Sequence, residues 1–325
     1  GVLAFEGMVL SEVAAAGDIF TVAGHLDRLR RPDSSLAMRC EVLSADGATQ
    51  IATANGMRVQ ARPAARMLPD ALLVPGFMHV SGEEVVARLT RMPRELALLK
   101  AMHARGVPLV SACCGGFLLA EAGLLEGRRA TTSWWLDATF RHRFPGVVLE
   151  VEKMVVEDGP VTTAGATTAV MGHLLQLVAR VGGAELATQT ARVMLMDPER
   201  HSQAPYISRA LRARPRHSLG ERAEKFLQRE LHRELSVGEL ASHCGTSERS
   251  LLRHFRTHYG VSPVQHLQVL RVERAKALLE TTHLSFEEVM ERCGYRDASS
   301  FRKLFKRATH LTPSDYRERF RLRPH

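Results

Sequence analysis

The feature that most constrains the fold of this chain is a repeat within its last hundred residues. The segment at 239–263 aligns with the segment at 288–313, with a period of 49 to 50 residues. Each copy reads as a short amphipathic helix, a glycine at its end (Gly245 and Gly294), a polar cap and a second helix. A solenoid would also repeat, but it needs at least three units and lacks this fixed order. The pattern therefore predicts two helix-turn-helix units, at about 236–258 and 285–307.

The second helix of each unit has the features of a recognition helix. Ser247 and Asp297 are the predicted N-caps, while Phe255, Phe305 and the apolar residues four positions before them face inward. Arg and Lys suit guanine edges and phosphates, and Ser hydroxyls and first-turn amides suit phosphate oxygens. For any one of these side chains, a solvated helix face is the alternative. The predicted DNA-binding residues are Ser247, Arg249, Ser250, Arg253, His254, Arg296, Ser299, Ser300, Arg302, Lys303 and Lys306.

The positive charge of the chain lies in the part that contains this repeat. From residue 201 onward there are 24 Lys and Arg against 14 Asp and Glu, a net charge of +10. The first 200 residues have 20 against 21, a net charge of −1. A basic part joined to a neutral one predicts that only the C-terminal part attracts phosphates. An ordinary solvated basic surface is the alternative.

Up to residue 185, short apolar runs alternate with longer helical patterns. The runs read as buried strands at Val2–Phe5, Met38–Leu43, Ala71–Pro75, Pro108–Ser111 and Val161–Thr163. This alternation predicts an α/β domain, a flavodoxin-like parallel sheet with helices on both faces. Prolines and arginines then break the pattern, which predicts a linker at 186–216 and an all-α domain at 217–325.

A longer helix is predicted between the two units, from Pro263 to about Glu280. At 1.5 Å per residue this helix is about 26 Å long. A spacer of that length holds two recognition helices near the ~34 Å that separates major grooves on one face of a duplex. One chain is therefore expected to span two major grooves.

Residues 218–325 resemble the DNA-binding domain of AraC/XylS-family regulators. The resemblance rests on SVGELA with CGTSERSLLRHF, on the linking helix, and on CGYRDASSFRKLFKRATHLTPSDYR. It implies double-stranded DNA as the partner, and RNA polymerase as a second partner if the protein is an activator. Leu252 stands at a position of polar base readers, so an apolar contact is expected there. The base contacts that the resemblance implies are made by Arg249, Ser250, Arg253, Ser299 and Lys303.

The segment LVSACCGGFLLAEAGLL at 109–125 reads as a strand, a sharp turn with a cysteine at its apex, and a helix that begins at a glycine pair. This is the thiol form of a nucleophile elbow, in which helix-start amides hold an anion and lower the pKa of Cys113. The alternative is a buried cysteine that acts as a small hydrophobic residue. Glu12 is expected to precede the first helix, and the strand LLVPGF at 72–77 is expected to end at the same crevice.

Residues 1–185 resemble the class I glutamine amidotransferase-like superfamily that includes PfpI. The resemblance implies that Cys113 is the elbow cysteine and that the Glu12 carboxylate hydrogen-bonds to it. Where hydrolytic members place a histidine, this chain has Cys114 and Ser133, and Phe77 breaks the usual glycine pair after Val-Pro-Gly. Without a neighbouring imidazole the sequence offers no general base for acyl transfer, so we predict that the chain is not an enzyme.

The combination of these two domains resembles that of GlxA-type regulators, which join a PfpI-like domain to an AraC-type one. This resemblance implies that the protein is a homodimeric transcriptional activator. It also implies that the former catalytic pocket binds an effector of the amino-acid or amine class. Trp134 and Trp135 either cage a cationic head group or pack in the core or a dimer interface. A PfpI-like amidase, or a thiol redox sensor, fused to a DNA-binding domain is the alternative function. The predicted effector-pocket residues are Glu12, Gly76, Phe77, Cys113, Cys114, Ser133 and Trp134.

Several other classes of protein do not fit the sequence. No apolar run reaches the roughly 18 residues needed to span a bilayer, and no basic stretch precedes the first apolar run, so neither membrane insertion nor secretion is expected. The five cysteines have no paired CxxC spacing, so no zinc site, other metal site, disulfide scaffold or cofactor is predicted. A cytoplasmic protein is the expectation.

Overall fold

The computed structural model describes residues 1–197, 202–208 and 218–321. The chain divides into two compact units, Gly1–Gln203 and Ala204–His325. The first unit is α/β and the second is helical, which confirms the predicted fold class. Among the described residues, no helix has both the length and the apolar character that a membrane span requires.

The strands of the first unit are short, and the central ones are buried along their whole length. In chain order they are β1 (Val2–Ala4), β2 (Val42–Ser44), β3 (Gln50–Ala52), β4 (Arg58–Gln60), β5 (Arg62–Pro63), β6 (Leu72–Val74), β7 (Leu109–Ala112), β8 (Arg129–Ala130), β9 (Val148–Leu149), β10 (Val155–Asp158) and β11 (Val161–Ala164). Seven of the described strands form one sheet in the order β10-β11-β7-β6-β1-β2-β5, with β3-β4 and β8-β9 as separate pairs. Within the sheet, the β10-β11 pair is antiparallel and the other pairs are parallel. Because both faces of the central strands are buried, helices must pack on both sides of the sheet, as they do in other parallel sheets.

The helices of the first unit provide that cover. They are α1 (Leu10–Arg30), α2 (Gly82–Leu89), α3 (Pro93–Ala104), α4 (Gly115–Glu121), α5 (Asp137–Arg143), α6 (Thr167–Gly182) and α7 (Ala184–Val193). Helix α1 packs with α6 and α7, while α2 and α3 pack with α4. The crossover from β1 to β2, which contains α1, and the crossover from β6 to β7, which contains α2 and α3, run in opposite directions along the sheet. Because such connections are right-handed, α1 lies on one face of the sheet and α2 and α3 lie on the other.

This topology creates a switch point between β1 and β6, where a ligand crevice is expected at one edge of the sheet. The chain runs from β1 outward to β2 and β5, then returns to the other side of β1 to form β6. In open α/β sheets, ligands bind beyond the carboxyl ends of the strands at such a switch point. The crevice here lies where the loops after β1 and β6 begin, at Phe5 and Pro75.

The first unit extends further than the sequence pattern predicts. Helix α7 occupies the beginning of the predicted linker at 186–216, because Leu186, Thr190 and Ala191 are buried and pack this helix onto the unit. Gln203 is also buried in the first unit, with its backbone N–H donating to the Glu152 carbonyl. Residues 198–201 and 209–216 of the predicted linker lie outside the described residues.

The second unit contains the two predicted helix pairs. Its helices are α8 (Ser218–Glu230), α9 (Val237–His243), α10 (Glu248–Tyr259), α11 (Pro263–Thr281), α12 (Phe286–Arg292), α13 (Ala298–Thr309) and α14 (Pro313–Phe320). Phe255 lies in one buried cluster with residues of α8 and α9, and Phe305 lies in another with residues of α12 and α14. Helix α11 contributes side chains to both clusters and so joins the two pairs.

Candidate DNA-binding surface and effector site

The turns of both helix pairs have the geometry that the repeat predicts. Gly245 and Gly294 have φ angles of 64° and 76°, in the left-handed region that favours glycine. The Ser247 hydroxyl accepts a hydrogen bond from the Ser250 N–H, and the Asp297 carboxylate accepts from the N–H groups of Ser299 and Ser300. These caps fix where α10 and α13 begin.

Helix α10 presents one exposed, basic face. Arg249, Leu252, Arg253 and Arg256 are exposed, and their spacing of three and four residues places them on one side of the helix. Arg256 was not among the predicted DNA-binding residues, although its spacing of three and seven residues from Arg253 and Arg249 indicates the same face of the helix. His254 is half-buried, with its ring 4.4 Å from that of His258, so the structure places it away from this face.

Helix α13 presents an equivalent face one repeat later. Ser299, Arg302, Lys303 and Lys306 are exposed at the same spacing, and Arg296 and Ser300 are exposed near the start of the helix. Arg302 is already engaged within the unit: its Nη2 lies 3.1 Å from Glu287 Oε1, and its guanidinium lies 4.8 Å from the centroid of the Phe286 ring. The first-turn amides of Ser299 and Ser300 are likewise occupied by Asp297. Lys303 and Lys306 are the exposed lysines of this face.

A buried arginine ties the two helix pairs together. The Arg271 guanidinium, on α11, donates to the carbonyl oxygens of Leu231 (2.9 Å) and Arg233 (2.6 Å), which follow α8. Its Cζ lies 5.0 Å from the centroid of the Tyr295 ring, in the turn between α12 and α13. Arg271 is only 8% exposed, so these contacts satisfy a charge that burial would otherwise make unfavourable.

In the first unit, Cys113 lies at the apex of a strained turn between β7 and α4. Its φ angle is 52°, which is uncommon for a residue with a Cβ atom. Its N–H donates to the Ala164 carbonyl, which fixes the turn to the end of β11. A Cβ atom on Gly115 would overlap the Val74 carbonyl oxygen, so this glycine allows α4 to begin directly against β6. The structure thus has the predicted elbow.

A hydroxyl group is one of the hydrogen-bond partners of the Cys113 thiol. Ser133 Oγ donates to Cys113 Sγ at 3.0 Å, and Thr132 Oγ1 donates to the Cys113 carbonyl at 3.4 Å. A hydrogen bond from the Cys114 thiol, assisted by Ser133, lowers the pKa of Cys113, while burial and the Glu12 charge oppose this effect. Burial raises the pKa of Cys114, whose Sγ lies between the N–H and the carbonyl oxygen of Phe77.

The position and partners of Glu12 differ from those expected. Glu12 lies within the first turn of α1 rather than before it. Its Oε2 accepts from the Gly76 N–H at 2.6 Å and its Oε1 accepts from the Thr167 hydroxyl at 2.9 Å, instead of bonding to Cys113. Burial raises the pKa of Glu12, and these two hydrogen bonds oppose the rise. Gly76 was predicted to lie at the same crevice as Glu12, but the two hydrogen bonds join positions 64 and 155 residues apart, so no local sequence pattern indicates them.

Aromatic rings surround the same strand ends. The Phe77 ring lies edge-on to Phe5, with centroids 6.2 Å apart, and the rings of Trp134 and Trp135 lie 5.3 Å apart. Trp135 Nε1 donates to His79 Nε2 at 3.2 Å. Trp134 is 6% exposed, and the other predicted pocket residues are also buried. The structure thereby brings the predicted pocket residues together, and it adds His79 and Trp135 beside them.

Two family models match the chain. One, described as the DJ-1/PfpI family, matches residues 2–180, and the other, described as a helix-turn-helix domain, matches residues 240–319. Together they match the greater part of each unit.

Individual proteins are also similar to this chain. The chain is 32% identical over 285 residues to the HTH-type transcriptional regulator CdhR of Pseudomonas aeruginosa, which covers 86% of this chain and 81% of that protein. It is 27% identical over 222 residues to the HTH-type transcriptional regulator GlxA of Rhizobium meliloti, which covers 68% of each chain. A crystal structure of an AraC family transcriptional regulator from Pseudomonas putida aligns with 22% identity and a TM-score of 0.48, covering 59% of this chain and 97% of that one.

Proposed function

This chain belongs to the DJ-1/PfpI family and is a DNA-binding transcriptional regulator with an AraC-type helix-turn-helix domain, and we propose that it is an activator controlled by a small metabolite bound in its first unit. The observation that carries the proposal is the hydrogen bond from the Ser133 hydroxyl to the elbow cysteine, Cys113. Acyl transfer would need a general base at the position of this hydroxyl. The site keeps the shape of a nucleophile elbow, but a hydroxyl does not accept the thiol proton. We infer that the site binds its ligand without turning it over.

We propose that both recognition helices bind one duplex. Helix α11 has 19 residues, or about 28 Å at 1.5 Å per residue, which suits two recognition helices in successive major grooves. The proposed base readers are Arg249, Arg253, Ser299 and Lys303, on the exposed faces. Lys306 and Arg256, one turn later, are the proposed phosphate contacts.

Arg253→Ala is expected to lose sequence discrimination, whereas Lys306→Ala is expected to weaken binding to every sequence alike. A bidentate arginine–base contact contributes about 1–3 kcal/mol of discrimination, while a phosphate contact changes the salt slope by about one unit. Titration of operator and scrambled duplexes at several salt concentrations separates the two effects. If Arg253→Ala weakened both duplexes equally, its assignment as a base reader would be wrong.

We propose an amino-acid or amine-like effector, a homodimer, and contact with RNA polymerase in the cytoplasm, where promoter DNA lies. The aromatic faces of Trp134 and Trp135 beside the Cys113 site support an amine group, because indole faces attract cations. The lowered pKa of Cys113 supports one second candidate, a thiol redox sensor at the same site.

A thermal-shift screen of the full chain against amino acids and amines tests the proposal. A ligand at 100 times its Kd stabilises the native state by about 2.7 kcal/mol, and it should also change the affinity for operator DNA. Conversion of a bound ligand, detected as released ammonia or acid, would instead show that the first unit is an enzyme.

Substitutions at Cys113 separate binding from thiol chemistry. Cys113→Met should abolish the transcriptional response to the effector while operator affinity in its absence stays unchanged, because the longer side chain fills the crevice. Cys113→Ser should respond normally, because it nearly preserves the size of the side chain. A reporter assay under reducing conditions distinguishes them, with the melting temperature of each variant as a control for folding. If Cys113→Ser is unresponsive and folded, thiol chemistry is required and the sensor alternative is favoured.

A further inference from the structure

The crevice at the β1–β6 switch point contains a cation that the proposed function has not used. Arg88, on α2, places its guanidinium 4.6 Å from the centroid of the Phe77 ring and 6.0 Å from that of Phe5. Its Nη2 also donates to the Glu6 carbonyl oxygen. The guanidinium thus bridges the loops that follow β1 and β6, where ligands of this sheet topology bind.

This guanidinium is half-buried and lacks a counter-ion. Among the described residues, no carboxylate oxygen lies within 4.0 Å of Arg88, and the nearby Glu84 carboxylate accepts from the Val80 N–H instead. Burial lowers the pKa of Arg88, an effect that the charges of Cys114, Glu84 and Glu6 oppose. A partly desolvated charge without a counter-ion is unfavourable, so an anion that enters the crevice would form a favourable ion pair with Arg88.

The surroundings favour a small monoanion. The planar fork of arginine matches a carboxylate in a bidentate arrangement. One guanidinium flanked by two phenyl rings balances a single negative charge, whereas a phosphate dianion would be left with an uncompensated charge in an aromatic setting. The apolar rings of Phe5 and Phe77 also suit a ligand whose remaining atoms are carbon.

We propose that Arg88 binds the carboxylate of the effector, so that the ligand of this unit is a small carboxylic acid. The assignment rests on the proposed function, since it concerns the ligand of the same site. The Phe77 ring beside Arg88 also lies 6.3 Å from the ring of His79, which accepts a hydrogen bond from Trp135, so binding of the acid at Arg88 is expected to change the environment of a tryptophan.

Tryptophan fluorescence provides the test, because the only two tryptophans of the chain are Trp134 and Trp135. The full chain is titrated with acetate, glycine and the other common L-amino acids, and with the amide of each. Acids should bind saturably and their amides at least about tenfold more weakly, as expected for loss of a charged hydrogen bond. Arg88→Gln should weaken acid binding by roughly ten- to hundredfold, and Arg88→Lys by less. Arg91→Gln, at an exposed arginine just beyond the same helix, is the matched control and should bind like the unmodified chain.

Each contrary result has a distinct meaning. Equal binding of acids and amides, or no binding of any acid, overturns the carboxylate assignment and leaves the regulator itself in place. Normal acid binding by Arg88→Gln overturns the role of Arg88. If Arg88→Gln does not fold, the acid-against-amide comparison in the unmodified chain and the Arg88→Lys variant decide the question. Binding that obeys the expected pattern but leaves operator affinity unchanged contradicts the proposed function, not Arg88.

Discussion

Gly294→Ala is expected to destabilise the second unit by roughly 2–5 kcal/mol, whereas Gly245→Ala should cost only about 1–2 kcal/mol. The two glycines occupy the same position in the repeat, and both have left-handed backbone conformations. They differ in what surrounds them. Around Gly245 a Cβ atom would meet nothing within 4 Å, but at Gly294 it would lie 2.5 Å from the Leu231 carbonyl oxygen and 2.7 Å from the His232 carbonyl carbon.

The difference arises because backbone atoms cannot move aside as a flexible side chain can. Arg271 holds the same Leu231 carbonyl by a hydrogen bond, so a displacement at Gly294 also strains that contact. Urea denaturation of the three full-length proteins measures the two free-energy losses. Equal losses would show that only the backbone conformation matters at Gly294 and that the close approach to Leu231 is absent in solution.

The same substitution has an expected consequence for DNA binding. Gly294 and Arg271 hold the turn of the second helix pair against the loop between α8 and α9. This loop leads directly into the first helix pair. Displacement at this point should alter the spacing of α10 and α13. Affinity for a duplex with both half-sites should therefore fall further than affinity for a duplex with one, with Gly245→Ala as the control at equal folded fraction.

The helical unit was predictable because its signals are local. Caps, turn glycines and the spacing of Phe255 and Phe305 all lie within a few residues of the structure they specify. The elbow at Cys113 was predictable for the same reason, since the strand, the turn and the glycine pair are contiguous in sequence.

The contacts around the elbow were not predictable, because they join distant parts of the chain. Glu12 bonds to Gly76 and Arg88 bonds to Glu6, across 64 and 82 residues of sequence. The family resemblance predicted Cys113 as the hydrogen-bond partner of Glu12, whereas the structure shows Gly76 and Thr167 in that role. Helix α7 was missed because the proline- and arginine-rich composition that follows it favoured an early linker.

Substitutions at Gln203 and Gly165 are expected to have strongly non-additive effects on stability, and both residues adjoin segments that hydrogen-bond to Cys113. The buried Gln203 amide Nε2 lies 3.0–3.2 Å from four oxygens, which belong to Thr131, Thr132, Val151 and Lys153. A Cβ atom on Gly165 would overlap this same amide. Gly165→Ala should therefore expel the Gln203 side chain, and each buried carbonyl left unpaired costs about 1–3 kcal/mol.

Gln203→Ala should lose the same hydrogen bonds directly. In the Gln203→Ala background, however, the overlap at residue 165 no longer exists, so adding Gly165→Ala should cost less than about 1 kcal/mol. The double variant should thus be more stable than the sum of the two single losses predicts, by about 2–3 kcal/mol. Denaturation of the unmodified chain, the two single variants and the double variant gives this coupling energy. Additive losses would mean that Gly165 does not contact Gln203 in solution.

A second measurement connects this pair to the functional site. Thr132, whose carbonyl is one of the acceptors of Gln203, donates its hydroxyl to the Cys113 carbonyl, and the next residue, Ser133, donates to Cys113 Sγ. Release of Gln203 should loosen this segment and expose Cys113, a residue that is 7% exposed in the native structure. Alkylation of Cys113, followed by peptide mass mapping, should accelerate in Gln203→Ala and in Gly165→Ala to a similar extent, whereas alkylation of Cys293 in the second unit should not change. Acceleration at both cysteines would indicate global unfolding, and acceleration at neither would show that the segment keeps its position without the Gln203 amide.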